Sequence, residues 1–279
     1  MVKIAALSTI CADIFDGTDQ VRIGGEAYNF AMAASEYAHV EMSIIAGVGN
    51  DIYGRTAIEC LREKNVDTSC VHVIEGGRTA SNRIYLTEAG ERYFKSDSWD
   101  GGVYQEFELS GLDKGKMRNA DIVFINYYSP NFTEVLRLKE EYGYQLAVDF
   151  DVVRDFSAIE KTLYGIDYVF ISGEESILSI FAKWSEKYRA IFNMTLGHRG
   201  SVTYFGGEEY RVNAVPVQKV IDTTGCGDGY HAGFLASYAR HHDIILAMRE
   251  GSKIASKILS GIGGNRERRF LYGDITEVK

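Results

Sequence analysis

An α/β fold, built on a mostly parallel sheet covered by helices on both faces, is what this sequence predicts. Three observations point there. Short apolar runs alternate with helix-like stretches over most of the chain. Several of those runs are rich in Val, Ile and Phe and are bounded by Gly, Asp or Asn. The length, 279 residues, suits one large α/β domain with at most a small appendage.

The runs at 3–8, 43–48, 122–126, 146–150, 168–172, 192–196 and 202–205 read as strands. The stretches 27–38, 53–64, 131–142, 174–188, 227–240 and 244–259 read as helices. In the helix over 227–240, Tyr230, Phe234, Leu235 and Tyr238 are spaced to make one apolar face. One region departs from the alternation. Residues 78–87 and 91–95 read as two strands joined across Glu88, Ala89 and Gly90, a hairpin signal. With the extended piece 20–23 they predict a small β-sheet outside the main sandwich, the alternative being an edge hairpin of the main sheet.

Composition narrows the function. The formal net charge is −9, so the chain is a poor candidate for gripping nucleic acid through phosphates. Cys11, Cys60, Cys70 and Cys226 form no CxxC pair and no metal-like spacing. No apolar run approaches the roughly 18–20 residues that span a bilayer. The first residues form a strand-like run without a basic leader. A reduced, cytoplasmic protein that touches neither nucleic acid nor membrane is the expectation.

The densest chemical signal is the segment Asp222-Thr223-Thr224-Gly225-Cys226-Gly227-Asp228. A strand-like run at 217–221 enters a glycine-rich turn, and a helix follows. Glycines let backbone approach a ligand, and the free N–H groups of a helix start favour an anion such as phosphate. Asp228, in the first turn, is then placed either as a proton acceptor or merely as an acid welcome at the positive end of a helix. No Walker sequence occurs. Gly225-Cys226-Gly227 opens like a dinucleotide fingerprint, but Tyr230 stands where its third glycine belongs.

This segment closely resembles the DTxGAGD signature of the ribokinase/PfkB sugar-kinase family, with Cys226 in place of the usual alanine. The resemblance covers nearly the whole chain in the expected order. Gly24-Gly25-Glu26-Ala27-Tyr28-Asn29 is similar to the family's GGxxxN substrate motif, and Asp13 to its early substrate aspartate. Val48–Gly54 resembles VGxDxxG, and Thr195–Gly200 resembles the TLGxxG strand end beside the nucleotide. Ser172-Gly173-Glu174-Glu175 stands where the family has NxxE, with Ser172 replacing the asparagine.

The resemblance implies a ribokinase-like three-layer α/β/α sandwich, with a small β-lid from about 12–24 and 78–100 that often doubles as a dimer contact. It implies ATP-dependent phosphorylation of a primary hydroxyl on a small sugar. Asp228 would be the base, and Gly225, Cys226 and Gly227 the anion hole. Asp13, Gly24, Gly25 and Asn29 would hold the acceptor. Thr195, Gly197, Gly200 and Ser172 would face ATP, and Glu175 would organise magnesium through water. Asp222 and Thr224 occupy positions that in many relatives bind a monovalent cation such as K⁺, with a turn and cap as the competing role.

The short segment between Asp13 and Gly24 resembles the fructoselysine-kinase branch more than ribokinase. Glu26 is an extra carboxylate in the substrate loop and would suit an acceptor bearing an amine, such as a fructosamine. The alternatives are a kinase of neutral sugars or nucleosides, and a non-catalytic sugar-binding protein on the same scaffold. Asp149, Asp151 and Arg154 loosely resemble a DxNxR segment, but Arg154 is one place late, so a surface loop is expected there.

Overall fold

In the computed structural model, which describes residues 1–17, 20–87, 92–265 and 271–272, the chain builds two sheets. The large one has nine strands: β1 (Val2–Leu7), β4 (Val40–Gly49), β5 (Asp67–Ile74), β8 (Ile122–Asn126), β9 (Gln145–Asp149), β10 (Tyr168–Ser172), β11 (Ile191–Thr195), β12 (Ser201–Phe205) and β13 (Glu208–Val212). Their order is β13-β12-β11-β10-β9-β8-β1-β4-β5. All pairs from β11 to β5 are parallel, and β12 and β13 add an antiparallel edge.

The apolar runs are apolar because both faces of this sheet are covered. Along β1, Ile4 and Ala6 enter one core while Ala5 and Leu7 enter the other, the two-residue period of a strand. The first core is closed by α1 (Glu26–Ala34), α2 (Ile52–Glu63), α7 (Cys226–His241) and α8 (Ile244–Ile258), with Phe30 stacked on Phe124 at 4.1 Å. The second core takes α4 (Phe132–Tyr142), α6 (Leu178–Lys187) and the shorter α3 (Gly111–Arg118) and α5 (Phe156–Glu160). Three layers result. No helix among the described residues is long and apolar enough to cross a membrane.

The small sheet is a separate structure, not an edge of the large one. It joins β2 (Cys11–Phe15), β3 (Gln20–Gly24), β6 (Ala80–Leu86), β7 (Arg92–Phe94) and β14 (Leu271–Tyr272) in the order β14-β3-β2-β6-β7. The expected hairpin is β6 with β7, paired antiparallel; its joining residues Glu88, Ala89 and Gly90, and Glu91, lie outside the described residues. Asp51 ties the two sheets together. Its carboxylate caps α2 by accepting from Gly54 N–H at 2.8 Å and also accepts from Thr79 N–H at 2.6 Å, just ahead of β6.

Three sequence expectations change. Residues 217–221 form no strand: Val217 and Val220 line a cavity, and Ile221 N–H donates to Leu259 O at 2.9 Å. Their apolar character serves a cavity wall. The helix expected over 227–240 starts at Cys226 and is buried continuously from Asp228 to Ser237, since α1 and α8 cover what a surface helix would show to water. The helix expected over 27–38 stops at Ala34. The polar, half-exposed edge strands β5 and β13 carried too weak an apolar signal to be read.

Candidate active site

The parallel strands β8, β9, β10 and β11 end at one rim, and their last residues, Asn126, Asp149, Ser172 and Thr195, all line one cavity. Ligands of open α/β sheets bind at such carboxyl ends. The start of α7 and residues of the small sheet complete the walls.

One end of the cavity is glycine-rich. Gly225 caps α7 in the left-handed region, φ 71°, and a Cβ there would collide with the backbone of Gly264. Only glycine meets both demands. The helical ladder begins with Gly229 N–H donating to Gly225 O at 2.9 Å, so the preceding amides lie in the first turn and point out of the helix. Cys226 N–H turns back to Thr223 O at 3.3 Å. Asp222, fully buried, braces this loop. One of its oxygens accepts from Thr224 N–H at 2.8 Å and from Thr224 Oγ1 at 2.6 Å; the other accepts from Gly263 N–H at 2.8 Å. Thr195, Gly197, Gly200 and Ser172 also line the cavity, with Ser172 Oγ 3.2 Å from Thr195 Oγ1.

The other end is rich in carboxylates. Asp228 is buried and accepts from Asn29 Nδ2 at 2.9 Å. Asn29 is itself oriented by Asn265, whose Nδ2 donates to Asn29 Oδ1 and to Ile23 O, each at 3.0 Å. Asp13 is buried on β2, and a Cβ on Gly24 across the pair would strike its carboxylate. Glu26 opens α1. It accepts from Ser8 Oγ at 2.9 Å and from Asn126 Nδ2 at 2.6 Å, so it is not a solvated acid.

Asp149 corrects an expectation. It is 6% exposed and lines the cavity rather than a surface loop, because it is the last residue of a central strand. Arg154 turns the other way, donating to Ser172 O at 2.7 Å. Burial pushes the Asp149 carboxyl up to about 7, against a hydrogen bond from Asp151 N–H. Burial, then the charges of Asp149 and Asp228, hold Glu26 well above the usual carboxylate range. Burial takes His231, one turn beyond Asp228, down to about 4.

The structure thus gathers Asp13, Gly25, Glu26, Asn29, Ser172, Thr195, Gly197, Gly200, Thr224, Gly225, Cys226, Gly227 and Asp228 around one cavity. Gly24 is next to it, under Asp13, and Asp222 sits behind the loop. Glu175 is not among the described residues that line the cavity. Its carboxylate is 55% exposed, with Arg199 at 3.7 Å and Arg211 at 4.0 Å. Sequence reasoning missed Asn126, Asn265 and His231. The asparagines are lone polar residues far from any motif. His231 was legible only as the residue three places after Asp228, on the same helix face.

The profile of the pfkB family carbohydrate kinases matches residues 16–267, most of the chain. This chain belongs to that family. It is an ATP-dependent carbohydrate kinase. Fructoselysine 6-kinase of Shigella flexneri is 28% identical over 262 residues, 93% of this chain and 98% of that protein. Fructosamine kinase FrlD of Bacillus subtilis is 27% identical, covering 98% of this chain and 94% of the relative. Among solved structures, Arabidopsis thaliana ribokinase complexed with ribose and ATP superposes with a TM-score of 0.79 at 20% identity, over 94% of each chain. Adenosine kinase of Sinorhizobium meliloti does so at 0.80 and 20%, over 95% of each. These likenesses establish the ribokinase-like fold.

Proposed function

We propose that this pfkB-family kinase transfers the γ-phosphoryl group of ATP to a primary hydroxyl of a fructosamine such as fructoselysine, with Asp228 as base. The observation that carries the acceptor class is the carboxyl-rich lining of the cavity. Asp13, Glu26, Asp149, Asp151 and Asp228 line it, and no lysine or arginine does among the described residues. A sugar phosphate or sugar acid would meet no cation on such a wall, whereas an acceptor with an amine would favour ionisation of the wall's carboxyl groups and pair with them. The fructoselysine and fructosamine kinases among the relatives support the same reading.

Asp228 stands where the glycine-rich and carboxylate-rich ends meet. As the acceptor oxygen attacks the γ-phosphorus, its carboxylate takes the hydroxyl proton. The outward amides of the first turn of α7 hold the charge on the transferring group. Asn29, fixed by Asn265, positions Asp228 and the acceptor together, and Asp13 and the Gly24–Gly25 backbone hold acceptor hydroxyls. Thr195, Gly197, Gly200 and Ser172 face the nucleotide. A hydrated magnesium ion would neutralise phosphate charge; Glu175, exposed but within 4.0 Å of Arg199 and Arg211, would hold it through water only by giving up those contacts. Asp222 and Thr224 are engaged with each other and with Gly263, which supports a role in bracing the loop. The small sheet closes over the acceptor and excludes water.

The test is ADP release with Mg·ATP and a panel of fructoselysine, fructose, ribose and adenosine. Fructoselysine is expected to give the highest kcat/KM. Equal or better use of a neutral acceptor would overturn the fructosamine assignment, and thermal stabilisation by sugar without ADP release would overturn catalysis.

A further inference from the structure

Beside the proposed base lies a group that phosphoryl transfer leaves unused. His231 is 3% exposed, and its Nδ1 has no hydrogen-bond partner among the described residues. The ring is held by aromatic neighbours, with Phe170 at 4.3 Å and Phe124 at 6.0 Å between centroids. Nδ1 lies 3.7 Å from Asp149 Oδ2, too far for a hydrogen bond. A buried ring nitrogen without a partner is unfavourable, so its neighbourhood is one where a ligand gains.

One ligand atom each from Asp149, Asp228 and His231 falls within a mutual 4.8 Å. Asp149 ends β9, while Asp228 and His231 sit one turn apart on the same face of α7. We propose that these three residues bind a transition-metal dication, zinc above all, and that the bound ion holds the kinase inactive by capturing its base. The inhibitory part rests on Asp228 being that base; the binding part does not.

Donor chemistry selects the ion. Magnesium keeps its waters and oxygen ligands, whereas imidazole with two carboxylates suits zinc, cobalt or manganese. Zinc bonds of about 2.0–2.2 Å place two ligands of a tetrahedral ion roughly 3.3 Å apart. The His231–Asp149 pair is near that spacing already, and rotation of the Asp228 side chain closes the remainder. No lysine or arginine among the described residues lines the cavity to compete for the carboxylates. The three residues leave a fourth position facing the cavity, where the acceptor binds. A carboxylate bound to zinc cannot take the proton of an incoming hydroxyl, so occupancy and turnover exclude each other.

The experiment uses the full chain, stripped with chelator. Zinc chloride is titrated calorimetrically, and cobalt binding is followed by visible absorption. Wild type, His231→Gln and Asp149→Asn are compared after thermal melts show them folded. Inhibition of ADP release by zinc, at constant excess Mg·ATP, is scored for each protein against its own metal-free rate. The expected result is one zinc per chain, an inhibition midpoint that rises with acceptor concentration, and at least tenfold weaker binding and inhibition in both variants. Absence of saturable zinc binding, or binding equally tight in both variants, overturns the site. Zinc that binds through these residues without slowing turnover overturns the capture of the base. Activity surviving in Asp228→Asn would instead strike at the catalytic reading, so the two failures are distinguishable.

Discussion

The two ends of the cavity are built in opposite ways. The glycine-rich end is nearly one continuous segment, from Asp222 to Asp228, whose shape is decided locally. An Asx-type brace from Asp222, a left-handed Gly225 and the start of α7 follow one another along the chain. The carboxylate end has no such segment. Asp13 comes from β2, Glu26 and Asn29 from α1, Asn126 from β8, Asp149 from β9 and Asp228 from α7. A local motif carries chemistry shared by every kinase that uses it. An assembled wall can change one residue at a time, and acceptor choice is proposed to reside there.

That contrast can be broken most directly at the residue belonging to both ends. Asp228→Asn is expected to leave ATP binding intact by calorimetry and to lower kcat by roughly 10²–10⁴-fold. A folded variant that keeps most of its turnover would remove the base from the junction.

Next is the acceptor wall. Glu26→Gln keeps the size and loses the charge. For an amine-bearing acceptor, kcat/KM should fall about 10–100-fold, the worth of a hydrogen bond to a charged group at about 1.5–3 kcal/mol. For fructose the change should be slight, because Glu26 is held toward its neutral form in the empty cavity. An equal loss for both acceptors would make Glu26 a structural residue.

A smaller effect is expected one step back. Asn265→Ala removes the donor that orients Asn29 and leaves a buried amide oxygen unpaired. A loss of about tenfold in kcat/KM follows from about 1–3 kcal/mol for such a group. Restoration by Asn265→Gln is not expected, since the longer side chain would not fit the spacing. A variant indistinguishable from wild type would show that Asn29 needs no brace.

The smallest effect on turnover belongs to Cys226. Cys11, Cys60 and Cys70 are buried, and burial pushes the Cys70 thiol up to about 11. Cys226 is part-exposed at a helix start and lines the cavity, so it is the thiol a small reagent reaches most readily. Its Sγ is directed toward Ala255 O of α8, at 3.7 Å. Iodoacetamide should modify Cys226 first and inactivate the enzyme, and Mg·ATP with acceptor should protect it. Cys226→Ala should turn over normally and resist. Peptide mapping that finds the label elsewhere, or full activity after complete labelling, would place the side chain off the phosphate path.

By itself the sequence determined the layered α/β fold, the hairpin that became part of the extra sheet and the glycine-rich loop. Each is written in short-range terms: apolar runs of strand length, a hairpin signal, and glycines where backbone geometry admits nothing else. The tertiary structure alone decided that 217–221 is cavity wall, that α7 is buried all round, and that Asp149 faces the site rather than water. It alone brought Asn126 to Glu26, Asn265 to Asn29 and His231 to Asp149. The reason is physical. Hydrophobic period and backbone strain act over a few residues and leave a mark in the order of amino acids. The pairing of buried polar groups acts between elements roughly 80 to 240 residues apart in the chain, and a lone asparagine or histidine looks the same in sequence whether it meets a partner, a ligand or water.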